Sequence, residues 1–80
     1  MRTPVILPDL GASRVRFSLW FADPGDQVYR GDRLAEVLAD GASFDVSAPA
    51  TGRLVERHVW PRDPLSVGQV LGVVEADPEE

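Results

Sequence analysis

A single histidine, His58, is the one imidazole in the chain, and no cysteine accompanies it. Thiolate nucleophiles, disulfides and cysteine-based metal sites are therefore excluded. A lone histidine with no carboxylate at ligand spacing reads as a structural or solvated side chain rather than a metal ligand or base. Asp40 and Asp45 stand on either side of a turn and invite an acid–base pair. Such a pair needs one carboxyl raised by apolar surroundings, which nothing in the pattern supplies, so both read as solvated. Ser13, Ser18, Ser43, Ser47 and Ser66 have no base constellation and no Gly-x-Ser-x-Gly around them. A phosphate loop and a dinucleotide fingerprint are absent as well. The residue set implies a protein without catalytic, cofactor-binding or metal sites.

All eight basic side chains are arginine (Arg2, Arg14, Arg16, Arg30, Arg33, Arg53, Arg57 and Arg62), so the chain has no lysine. Thirteen carboxylates leave a net charge of −5 and a pI near 4.7. Repulsion from phosphates argues against nucleic acid or an anionic membrane as partner, and the scattered arginines form no local patch. The N-terminus "MRTPVILPDLG" lacks the apolar stretch of a signal peptide. No run approaches the ~20 apolar residues of a membrane span. The expectation is a cytoplasmic protein.

The elements that must position these residues are strands. Glycine and proline recur about every eight to ten residues, the spacing of short strands and turns. The pattern predicts strands near 3–7, 15–22, 33–38, 43–47, 52–60 and 70–75, with very short ones around Val28 and Leu65. Residues 36–46, "EVLADGASFDV", form a hairpin in which Gly41 supplies the positive φ of a tight primed turn. Adjacent Trp20 and Phe21 point to opposite faces of one strand, so one of them is partly exposed. Trp20, Phe21 and Trp60 serve either core and edge packing or an aromatic patch for a protein partner.

The chain also repeats itself. A shift of 37 positions lays residues 16–40 on 53–77 without a gap, matching Arg16 with Arg53, Pro24 with Pro61, Gly31 with Gly68 and Leu34 with Leu71. Two such halves, each too small to bury its own apolar face, pack with approximate twofold symmetry. The predicted fold is all-β, a flattened barrel or sandwich of two small antiparallel sheets over residues 1–76. Residues 77–80 form a frayed acidic tail.

Five segments in this order resemble lipoyl and biotinyl carrier domains, particularly the lipoyl domains of 2-oxo acid dehydrogenase acyltransferases. They are "LPDLG" (7–11), "WFADPGDQV" (20–28), "GDRLAEV" (31–37), "APATG" (48–52) and "VGQVLGVVE" (67–75). The resemblance implies the barrel-sandwich hybrid fold. In that family the hairpin tip reads Asp-Lys-Ala, and the lysine carries lipoic acid through an amide bond. Here the tip reads Asp40-Gly41-Ala42, with Gly41 at the lysine position. Arginine, always protonated, is a poor substitute nucleophile, and the only primary amine is that of Met1. The resemblance thus implies a domain without lipoate or biotin.

The family's loop after the first strand lies beside the hairpin and helps ligases and dehydrogenase partners recognise the domain. The loop from Asp9 to Trp20 is about two residues shorter here. Its part formed by Asp9, Leu10, Gly11, Ala12, Ser13 and Arg14 is, with the tip, the expected protein-partner surface. Arg57 and His58 fall where the family has apolar residues, and a bulge is expected to turn Arg57 outward. The first reading is a non-catalytic interaction or scaffolding module linked to a 2-oxo acid dehydrogenase or acyltransferase complex. A carrier domain disabled by mutation or engineering is the alternative. A barrel-sandwich module of a transport or membrane-fusion adaptor is the third, less favoured because that family carries a long helical hairpin where "ADGA" stands.

Overall fold

Alternating apolar and polar residues make short half-buried strands here, and glycine or a carboxylate at most of the turns sends the chain back. A computed structural model describes residues 1–78. Its strands are β1 (Arg2–Ile6), β2 (Val15–Trp20), β3 (Gln27–Val28), β4 (Arg33–Ala39), β5 (Ala42–Ser47), β6 (Gly52–Arg57), β7 (Pro64–Leu65) and β8 (Val70–Ala76). Two four-stranded sheets result, in the orders β1-β8-β6-β3 and β5-β4-β2-β7, and every pairing is antiparallel. Val5, Leu7, Phe17, Leu34, Val37, Leu54, Leu71 and Val74 meet between the sheets with almost no exposed surface. The all-β sandwich expected from the alternation is the fold observed.

The repeat is exact at the level of elements. Shifting β2, β3 and β4 by 37 positions gives the bounds of β6, β7 and β8. The pairings follow: Val15↔Ala39 becomes Gly52↔Ala76, and the irregularity between Phe17 and Leu19 returns between Leu54 and Glu56. Turn chemistry is repeated too. Asp26 accepts a hydrogen bond from the backbone N–H of Asp23 (2.8 Å), and Asp63 accepts the equivalent one from Trp60 (2.9 Å). In each case a carboxylate holds a turn that the sheet ladder cannot. The backbone repeats even where the residue type does not: Gly25 sits at φ +96°, and its counterpart Arg62 carries a side chain at φ +78°.

Two expected strands are shorter than predicted. The strand expected over 15–22 ends at Trp20, and that expected over 52–60 ends at Arg57. Beyond Arg57 the N–H of Trp60 turns to Asp63 and Pro61 has no N–H to offer, so no ladder continues. The bulge expected near Arg57 is present in β6, but it does not send the side chain into solvent. Arg57 is only 25% exposed, lies over the Trp60 ring at 5.6 Å and bonds Asp23 at 3.2 Å. Of the tail, Asp77 donates its N–H to the Thr51 carbonyl at 2.9 Å, and residues 79–80 lie outside the described part.

Candidate functional site at the hairpin tip

β4 and β5 are joined by two residues, Asp40 at φ +50° and Gly41 at φ +86°. Successive positive φ values define the primed turn whose twist matches the flanking strands. A Cβ placed on Gly41 would meet nothing within 4 Å, so the tip projects into open space.

Asp40 has a second task that its place in the turn does not announce. Its N–H donates to the Arg14 carbonyl at 2.8 Å. Its carboxylate accepts the N–H groups of Arg14 (2.9 Å) and Ser13 (3.1 Å), together with the Ser13 hydroxyl (3.2 Å). The N–H of Arg14, then that of Ser13, hold the carboxyl below its ordinary value of 3.8, against a smaller opposing effect of desolvation. A general acid needs the opposite shift, so Asp40 is a clamp between tip and loop. By residue type and place in the turn, Asp40 is expected to be a solvated carboxylate, and the structure corrects this. The missing signal was long range: 27 positions separate Asp40 from Ser13.

The loop is shaped from within as well. Asp9 accepts the N–H of Gly11 at 2.8 Å, and Gly11 takes φ +70°. Leu10 and Ala12 pack against the core, so the exposed face of the loop is Asp9, Gly11, Ser13 and Arg14 rather than all six residues. Beside the tip, Arg14, Arg16, Leu38, Asp40 and Gly41 line an open groove of about 300 Å³.

The other candidates are engaged elsewhere. Asp45 pairs with Arg33 at 3.0 Å rather than with Asp40. His58 lies 2.6 Å from Glu56, two residues earlier, a carboxylate neighbour the sequence reading did not single out. Ser18 donates to Glu36 at 2.7 Å. Of the aromatic pair, Trp20 turns inward and donates its Nε1–H to the Val59 carbonyl at 3.0 Å. Phe21 faces out beneath the Arg33 guanidinium, which sits 4.3 Å from the ring centroid. Trp60 is half exposed under Arg57. Among the described residues no three metal-ligating side chains converge, and no helix is long and apolar enough to cross a membrane.

This architecture is shared with known proteins. The biotin/lipoyl family model, described as "biotin-requiring enzyme", matches residues 3–74. The dihydrolipoyllysine-residue acetyltransferase component of the acetoin cleaving system of Pseudomonas putida is 35% identical over 77 residues, covering 92% of this chain and 21% of that protein. The corresponding component of the Bacillus subtilis pyruvate dehydrogenase complex is 34% identical over 67 residues, covering 81% of this chain and 15% of that protein. The chain thus spans about a fifth or less of the length of these curated relatives. The solution structure of the lipoyl domain of the Azotobacter vinelandii 2-oxoglutarate dehydrogenase complex superposes with a TM-score of 0.67, at 23% identity and with 96% of each chain covered, which supports the fold. With two antiparallel sheets, the exposed β4–β5 hairpin and a family match along nearly its whole length, this chain belongs to the biotin/lipoyl domain family.

Proposed function

We propose that this chain is a lipoyl-type domain that carries no lipoate or biotin and acts as a non-catalytic protein-interaction module. Its partners are components of a 2-oxo acid dehydrogenase or acyltransferase assembly, the class to which the similar proteins above belong. One observation carries the reading: a chain without any lysine nevertheless keeps its tip tied to the neighbouring loop by the Asp40 clamp. Amide attachment needs a primary amine at the tip, and Gly41 has no side chain, so the residues present do not fit the prosthetic group. What is retained is a rigid, exposed surface made of the tip, Asp9, Gly11, Ser13 and Arg14. The test is to titrate the ¹⁵N-labelled domain with purified dehydrogenase and acyltransferase subunits. Amide shifts concentrated at 9–14 and 38–42 are expected, and shifts confined to other surfaces overturn the reading.

The open space around Gly41 favours a second reading, a carrier disabled by loss of its lysine. Gly41→Lys, offered to lipoate ligase or biotin ligase and read by intact mass, separates the two. Efficient modification supports the disabled carrier; an unmodified but folded variant supports a surface turned to another use.

A further inference from the structure

The tip is not the only unsatisfied feature of the hairpin. A strand at the edge of a sheet presents a row of free N–H and C=O groups, and proteins blunt such edges with proline, charge, bulges or brevity. Three of the four edges here are blunted. β1 carries Pro4 at its centre, while β3 and β7 are two residues long and β7 begins with Pro64. β5 is six residues long, contains no proline, and pairs with β4 alone. Its one charge, Asp45, is held by Arg33. Phe44 lies opposite buried Val37 yet remains 41% exposed, because no strand among the described residues lies beyond it.

We infer that β5 is the docking edge for a second copy of this chain, forming a twofold antiparallel β5–β5 pair that joins the two four-stranded sheets into one of eight. The backbone sets the phase. In a two-residue primed hairpin the closing pair, Ala39 and Ala42, exchanges ladder bonds, and alternation assigns the next such pair to Val37 and Phe44. Ser43 and Asp45 therefore direct their N–H and C=O groups outward. The N–H of Asp40 bonding Arg14 on the far side of β4 agrees with this alternation.

Charge selects the register. Setting Asp45 opposite its own copy would place two carboxylates face to face. Moving the pairing by one residue on each strand sets Ser43 opposite Asp45 of the second copy, twice over. Each hydroxyl can then donate to a carboxylate while both residues exchange backbone bonds. Phe44 falls on the twofold axis against Phe44 of the other copy, and the two exposed rings cover one another. Ala42 meets Val46. The strand is self-complementary, as an isologous interface requires. A patch this small falls below the ~1,000 Å² of a stable interface, so association is weak and concentration dependent.

The absence of native cysteine makes the test direct. Phe44 in this register is a non-hydrogen-bonded pair with Cα atoms ~4.5 Å apart, inside the ~4.4–6.8 Å window for a disulfide. Phe44→Cys under mild oxidation is expected to give a covalent dimer. Ala42→Cys is expected to stay monomeric, because four residues at ~3.3 Å each put its two copies ~13 Å apart along the strands. Sedimentation equilibrium of the unmodified protein should show a mass rising above 8.7 kDa with concentration. Ser43→Pro removes an outward N–H without touching the β4 ladder, so it should fold, as circular dichroism would show, and hold at the monomer mass. A parent protein that stays monomeric into the millimolar range overturns the inference, even if an extended partner peptide protects the edge. Equal cross-linking at positions 42 and 44 overturns it too.

Discussion

Replacing Gly41 by lysine tests whether the left-handed turn or the missing amine governs the tip. An L-residue in the left-handed region costs ~1–2 kcal/mol. Removing glycine lowers the entropy of the unfolded chain and returns ~0.4–1 kcal/mol. No neighbour lies within 4 Å of the new Cβ at φ +86°, so no steric cost is added. The net destabilisation is roughly 0.5–1 kcal/mol. For an 80-residue chain, ~2.1 cal/mol/K per residue gives an unfolding entropy of ~0.17 kcal/mol/K and a fall in Tm of ~3–6 °C. Calorimetry of Gly41→Lys, Gly41→Ala and Gly41→Asn measures this without reference to any ligase. Lysine and alanine should fall together, and asparagine, which tolerates positive φ, should fall less. A lysine variant as stable as the parent refutes the claim that the tip requires its left-handed backbone. Stability equal to alanine's but below asparagine's supports it.

Arg62 makes the converse test, since it holds at φ +78° the position that Gly25 occupies in the first half. Arg62→Gly should raise stability by ~0.5–1 kcal/mol, or ~3–6 °C, and an unchanged or lower Tm counts against the strain argument. Trp20→Phe removes the indole N–H from the Val59 carbonyl while leaving an aromatic ring against Phe17, so denaturant melts should show a loss of ~1–2 kcal/mol; no loss means the carbonyl finds another donor. Because the Asp40 carboxyl is lowered in the folded state, its contribution is complete above the ordinary value of 3.8 and is lost as pH falls through the lower folded value. Amide exchange at Ser13 and Arg14 should therefore accelerate, relative to the chain's other protected amides, only below about pH 3.8; acceleration at higher pH refutes the clamp.

The strands were legible because their signals are local. Phe17 and Leu34 mark strand faces by alternation, and Gly31 and Gly68 mark turns that the repeat places 37 positions apart. Strand ends were less legible, since Trp60 leaves the ladder for an Asp63 carboxylate that strand propensity does not register. The tip was legible in shape but not in bonding. Asp-Gly announces a primed turn, yet nothing near Asp40 shows that its carboxylate reaches back to Ser13. Arg57 failed for a related reason: the bulge was read correctly, but the direction of the side chain was set by Trp60 and Asp23.

The internal symmetry isolates what is particular to the tip. Asp40 and Asp77 are equivalent under the 37-residue shift, and so are the carbonyls that receive their N–H groups, those of Arg14 and Thr51. That backbone bond therefore belongs to the duplicated scaffold. The N–H groups of Ser13 and Arg14 that bond the Asp40 carboxylate have no counterpart at Asp77 among the described hydrogen bonds, and of these two positions only Asp40 has, among the described residues, a strand returning from its turn. One half closes the molecule; the other projects a hairpin and fixes its base with a carboxylate. A hairpin kept solely to complete the sheet needs no such clamp, and its edge would be blunted as the other three are. The carboxylate clamp at the tip and the open edge beside it are the two observations that support the proposed contact surface at this end of the domain.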